Sequence, residues 1–125
     1  MPKHGSTGLE RIVHAGRFSL FGLRAAWRHE AAFRQELLLS LLLLASAFAA
    51  GVPVAHLLLL CAACLALLAC ELLNSAIEAV VDRIGHERHE LSGRAKDLGS
   101  AAVLAILLAL LLFWGWMVAG ALGFR

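Results

Sequence analysis

Glu71-Leu72-Leu73-Asn74-Ser75-Ala76-Ile77-Glu78-Ala79-Val80-Val81-Asp82 puts polar groups where a lipid-spanning helix ordinarily has none. Glu71, Asn74, Ser75, Glu78 and Asp82 recur at i, i+3, i+4, i+7 and i+11. At about 100° per residue all five share one helical face, inside an arc of roughly 100°. Leu72, Leu73, Ile77, Val80 and Val81 point elsewhere. Each acid at a bilayer centre costs about 2.5–3.5 kcal/mol on insertion scales. A chain keeps such groups where they meet protein, water, metal or substrate, so this stripe is the candidate functional centre.

Outward from the stripe, Leu37 to Cys70 contains no Asp, Glu, Lys or Arg. As one helix it would be about 51 Å long, too much for a single crossing of ~30 Å. Gly51-Val52-Pro53 interrupts it and predicts a tight hairpin. The apolar segments are then Leu37–Ala50, with helix starting as early as Ala31, Val54–Val81, and Leu98–Phe124, which is free of charge. The 125 residues are 61% hydrophobic, against about 45–50% for a soluble domain. The expected fold is an all-α membrane protein of one domain, residues 1–125. Spans are expected at about 31–50, 54–83 and 97–121, behind an N-terminal amphipathic surface helix at about 7–28.

Charge sets the expected orientation. Lys3, Arg11, Arg17, Arg24, Arg28 and Arg34 precede the first span, and Arg83, Arg88, Arg94 and Lys96 occupy the 83–97 loop. The 51–55 hairpin is uncharged. By the positive-inside rule the N-terminus and the 83–97 loop are cytoplasmic, in a multi-pass inner-membrane protein. Every charge except Arg125 then lies on the side where nucleotides are available. A signal peptide does not fit, because the first apolar run begins only at residue 37, although Ala45-Ser46-Ala47 mimics a cleavage site. Cys61, Cys64 and Cys70 all fall in the second span; with no second pair or nearby His they read as small packing residues, not a zinc set.

In the N-terminal helix Leu9, Ile12, Val13, Gly16, Leu20, Leu23 and Trp27 share one face, and Glu10, Arg11, His14, Arg17, Arg24 and Arg28 take the rest. That pattern suits a helix lying on the cytoplasmic leaflet. Phe18 points to the polar side with Arg11, where an aromatic ring suits a nucleobase and equally suits local packing. Glu30 follows at the junction with the first span. It is either an interfacial residue paired with Arg34 at i+4 or a metal ligand opposite Glu78. Two carboxylates plus substrate phosphates are the usual way of holding Mg²⁺.

Residues 83–97 are densely charged. Their Lys and Arg suit phosphate oxygens, or simply mark an ordinary solvated turn. His86, His89 and Glu90 make only a weak metal signature. No G-x-x-x-x-G-K-[ST] and no G-x-G-x-x-G occurs, so a nucleotide would not be held by a P-loop or a protein-kinase glycine loop. Trp114 and Trp116 read as an aromatic belt or as a wall of a lipid pocket. His56 reads as interfacial.

The stretch Glu71-Leu-Leu-Asn74-Ser75-Ala-Ile-Glu78-Ala-Val-Val-Asp82-Arg83 resembles the signature of the small prokaryotic diacylglycerol kinases. Glu90-Leu-Ser-Gly-Arg-Ala-Lys96-Asp97-Leu-Gly-Ser100-Ala-Ala-Val is similar as well. Gly22-Leu-Arg24-Ala-Ala-Trp27-Arg-His-Glu30-Ala-Ala-Phe33-Arg34-Gln35-Glu36 resembles the Gram-negative branch and separates it from the related undecaprenol kinases. The resemblance covers about residues 8–120. It implies an integral membrane homotrimer with composite active sites, transferring the γ-phosphate of ATP to the primary hydroxyl of diacylglycerol. Glu71 matches the general base, and Glu30 and Glu78 match the carboxylates that hold the Mg²⁺ of Mg·ATP. Arg11, Phe18, Asn74, Asp82, Glu87, Arg88, His89, Lys96 and Asp97 match nucleotide-site positions. Arg24, Trp27, Phe33, Arg34, Gln35 and Ser100 match positions around the lipid. Phe18 and Arg88 each stand where the family is expected to have Tyr.

The residues agree with that implication. Phosphoryl transfer needs positioning, charge stabilisation and a base for the hydroxyl proton. Glu71 is the deepest stripe acid, about 16 Å along the helix from Asp82; that order suits a lipid arriving from the bilayer and a nucleotide from the cytoplasm. Undecaprenol is the alternative acceptor. A cation-coupled transporter is a further alternative, but no charged group lies in the outer half of any span, where an ion path needs sites. A non-catalytic adaptor reading anionic lipid accounts for residues 1–30 and leaves the stripe unexplained.

Overall fold

Heptad spacing organises the chain into helices that share seams. The computed structural model describes residues 7–124; Lys3 and Arg125 of the charge argument lie outside them. The described residues form four helices and no strand: α1 Gly8–His29, α2 Ala31–Ala49, α3 Val54–Ile84 and α4 Glu90–Ala121. Helices α2, α3 and α4 are each long and apolar enough to cross a bilayer.

The buried residues of α3 are Leu60, Cys64, Leu67, Glu71 and Asn74. Their spacing of four, three, four and three keeps one seam facing the partner helices. On α2 the buried residues Phe33, Ser40, Leu43 and Ala47 follow the same rhythm. The apolar core is confined to one end of the molecule: Leu43, Ala47, Val52, Leu60, Cys64, Leu67, Leu110 and Met117. Cys64 is a core residue, as its packing reading required, and Cys61, Cys64 and Cys70 are free thiols. Trp114 is not only a belt residue. Its indole Nε1 donates to Ser46 Oγ at 3.0 Å, and Ser46 Oγ donates to Leu43 O at 2.9 Å, which ties α4 to α2. Trp116 is exposed and packs edge-on against His56.

The hairpin between α2 and α3 is a Schellman closure. Val52 N–H donates to Ala47 O at 3.1 Å and Gly51 N–H to Phe48 O at 3.0 Å. Gly51 has φ +78°, a left-handed conformation that a Cβ disfavours. Val52 is buried with Ala47 in the core, and Pro53 caps α3.

Helix α1 is started by Glu10, whose carboxylate accepts from Thr7 N–H at 3.1 Å. It ends at Glu30, a residue of extended conformation (φ −106°, ψ 106°) that separates α1 from α2. Arg34 braces this corner by donating from Nη1 to Trp27 O at 2.7 Å. Among the described residues Arg34 therefore pairs with a helix-end carbonyl and not with Glu30, contrary to the i+4 pairing the sequence offered. Only Ala26 of α1 is buried; Leu9, Ile12, Val13, Leu20, Leu23 and Trp27 are exposed.

Residues 90–97, expected as loop, are helical. His89 Nδ1 accepts from Leu91 N–H at 3.1 Å and Glu90 sits in the first turn, where a negative charge is favourable. Charge density made this stretch look like a turn, yet it is the polar start of a helix with apolar turns beyond it.

Candidate active site at the polar end of the helix seam

Glu71 continues the α3 seam directly after Leu67, so helical register carries it inside. It is only 4% exposed. Ser75 Oγ donates to Glu71 Oε1 at 3.5 Å, and Asn74 Nδ2 donates to Glu78 Oε1 at 3.4 Å. Glu71 and Glu78 stand two helical turns apart on the same face of α3. Glu30 and Glu78 are half-buried. Glu30 stands at the α1–α2 corner, and Glu71 and Glu78 stand on one face of α3.

Glu36 is the residue the sequence reading left without a role. It stands on α2 between Phe33 and Ser40, in register with their seam, and that periodicity was the available signal. Its Oε2 is buried and has no hydrogen-bond partner among the described residues. A buried, unpartnered carboxylate oxygen costs stability and calls for a donor or a cation.

A second cluster lies beyond Glu78. Lys96 Nζ donates to Asp82 Oδ1 at 2.6 Å, joining the ends of α3 and α4. Asp82, Lys96, Glu87, Arg88 and His89 line a cleft of about 570 Å³ together with other residues of the 85–93 segment. Asp97 is exposed on α4 outside it. No group of three or more His, Cys, Asp or Glu side chains is arranged as a metal cluster among the described residues, so His86, His89 and Glu90 do not form one.

The remaining expected residues fall into two sets. Phe33 is buried and Arg34 half-buried near the corner, while Arg24, Trp27, Gln35 and Ser100 are exposed. Arg11 and Phe18 are exposed on α1, and Phe18 stacks on His14 with ring centroids 6.5 Å apart. Among the described residues neither bonds to the stripe of its own chain.

The chemistry available is that of a buried carboxylate, two further carboxylates with hard oxygen donors, and a cleft bearing cations. That set fits Mg²⁺ only with help from a ligand, because two carboxylates leave most of an octahedron to water or phosphate oxygens.

Comparison with known proteins identifies the pattern. A family described as prokaryotic diacylglycerol kinase matches residues 17–118. A diacylglycerol kinase of Escherichia coli K12 is 50% identical over 111 residues, covering 89% of this chain and 91% of the relative. One from Pseudomonas aeruginosa is 49% identical over 119 residues, covering 95% and 97%. A diacylglycerol kinase of Haemophilus influenzae is 46% identical over 110 residues, covering 88% and 93%.

Proposed function

The chain belongs to the prokaryotic diacylglycerol kinase family, and from that premise we propose that it phosphorylates the primary hydroxyl of 1,2-diacylglycerol with ATP, giving phosphatidic acid at the cytoplasmic face of the inner membrane. The observation that carries the reading is a buried Glu71 in the seam of a membrane-length helix, with Glu78 two turns along the same face and a cleft of mixed charge beyond.

Glu71 is the general base. Its carboxylate takes the hydroxyl proton while the lipid oxygen attacks the γ-phosphorus in line; the bond to the β–γ bridging oxygen breaks and ADP leaves. Ser75 holds one oxygen of Glu71, and Asn74 orients Glu78. Glu30 and Glu78 would hold Mg²⁺ with ATP, which when bound neutralises charge on the phosphate oxygens. Arg11, Phe18, Asn74, Asp82, Glu87, Arg88, His89, Lys96 and Asp97 serve the nucleotide. Arg24, Trp27, Phe33, Arg34, Gln35 and Ser100 serve the lipid. The exposed apolar face of α1 lies on the cytoplasmic leaflet as an amphipathic anchor.

The assembly is a homotrimer with shared sites. Two features support that reading: Glu36 Oε2 lacks a partner among the described residues, and Arg11 and Phe18, exposed on α1, bond to no stripe residue among them.

The test is phosphate transfer from labelled Mg·ATP in mixed micelles, offering diacylglycerol and undecaprenol side by side. Mg²⁺-dependent label in phosphatidic acid, lost in Glu71→Gln, is expected. Label only in undecaprenyl phosphate would move the acceptor and keep the mechanism. No label in either from folded protein would overturn the kinase reading.

A further inference from the structure

Gly99 is the one glycine among those described where an added Cβ would force a neighbouring side chain to move. An added Cβ would overlap Asn74 Oδ1, and would lie 3.4 Å from Asn74 Cγ and 3.6 Å from Ile77 Cδ1. At the other described glycines, including Gly93, Gly115 and Gly120 of the same helix, a Cβ meets nothing within 4 Å. Gly99 is itself buried, on the face α4 turns toward α3.

Asn74 is 9% exposed, and its Oδ1 is buried without a conventional partner among the described residues. The Gly99 hydrogen that stands in place of Cβ points at that oxygen, a Cα–H···O contact of the kind found where helices approach closely. With the oxygen seated on Gly99, the other end of the carboxamide must face along the stripe, and Nδ2 reaches Glu78 Oε1 at 3.4 Å. A terminal amide has two ends, so fixing one fixes the other.

We propose that Gly99 is a positioning residue: it seats the Asn74 carboxamide so that Asn74 holds the Glu78 carboxylate in its working orientation. The inference rests on the kinase reading for its consequence, though its packing content stands without it. Gly99→Ser and Gly99→Ala both drive Asn74 from its seat, and Glu78 loses its orienting donor.

The experiment is a double-mutant cycle in detergent micelles, reading thermal midpoint, kcat and the Mg²⁺ concentration for half-maximal activity. Alanine in place of glycine inside a helix ordinarily stabilises it. Gly99→Ala is expected to lower the thermal midpoint instead, to lower kcat by on the order of tenfold or more, and to raise the Mg²⁺ requirement. Gly115→Ala changes none of these. In an Asn74→Ala background, which removes the obstructing oxygen, Gly99→Ala lowers neither the midpoint nor the residual kcat further. If Gly99→Ala alone fails to fold, folding of the double variant supports the proposal, and failure of both overturns it. Equal losses in the two backgrounds, or a fully active Gly99→Ala with ordinary Mg²⁺ dependence, also overturn it. Were the parent protein inactive on both lipids, the kinase reading would fall, while the sign reversal of the thermal midpoint would still decide the packing between Gly99 and Asn74.

Discussion

The two halves of the α3 seam use one geometry for opposite purposes. From Leu60 through Cys64 to Leu67 the seam is apolar and meets Leu43, Ala47, Leu110 and Met117. From Glu71 through Asn74 the same spacing delivers a carboxylate and an amide to equally buried positions. In the first half each contact adds dispersion and closes space. In the second, Glu36 Oε2 and Asn74 Oδ1 find no hydrogen-bond partner among the described residues. Lipid tails supply no hydrophobic drive between helices, so close packing must hold the helices together. The apolar half therefore carries the stability, and the polar half gives up part of it to keep acids inside the seam, where the proposed chemistry needs them.

The contrast is broken most severely at Glu71. Glu71→Gln is expected to lower kcat by about 10²–10⁴-fold with an unchanged thermal midpoint, the usual span for a lost general base. Glu71→Leu extends the apolar seam by one step; activity is lost and the midpoint rises, because a buried acid is replaced by a packed side chain. A drop in the midpoint would show that the carboxylate is held by favourable contacts.

Next in size, Glu78→Gln should raise the Mg²⁺ needed for half-maximal activity at least tenfold, about what removing even an outer-shell partner costs a metal site. Activity titrated against Mg²⁺ measures it.

In the other half the expected effect is on stability. Leu67→Ala should cost about 2–5 kcal/mol through the cavity it leaves, seen as a lower denaturation midpoint with kcat per folded molecule retained. Smallest is Trp114→Phe, which removes the bond to Ser46 and should cost about 0.6 kcal/mol, the mean for hydrogen bonds between membrane helices. A loss of several kcal/mol there would mean that the tie between α4 and α2, not the apolar seam, holds this end together.

Much of this was legible in the sequence. The breaks at Gly51–Pro53 and Glu30 could be read because both are set by neighbouring residues: a left-handed glycine and a proline at one, the end of a charged helix at the other. The stripe was legible because helical periodicity is local, and so were Glu71, Glu78 and Asp82 as its acids. The helical start at Glu90 was not, since a charged first turn and a solvated loop have the same composition. Glu36 was overlooked because its significance lies in the register of α2 against α3.

What the sequence determined by itself was the number of long apolar helices, their hairpin and the face that carries the acids, all properties of one helix at a time. Tertiary structure alone decided which end is tightly packed, that Arg34 braces the Trp27 carbonyl, that a Glu36 oxygen is buried, and that Gly99 lies under Asn74. Those facts depend on the axial register and close approach of one helix on another, which no spacing within a single segment can encode.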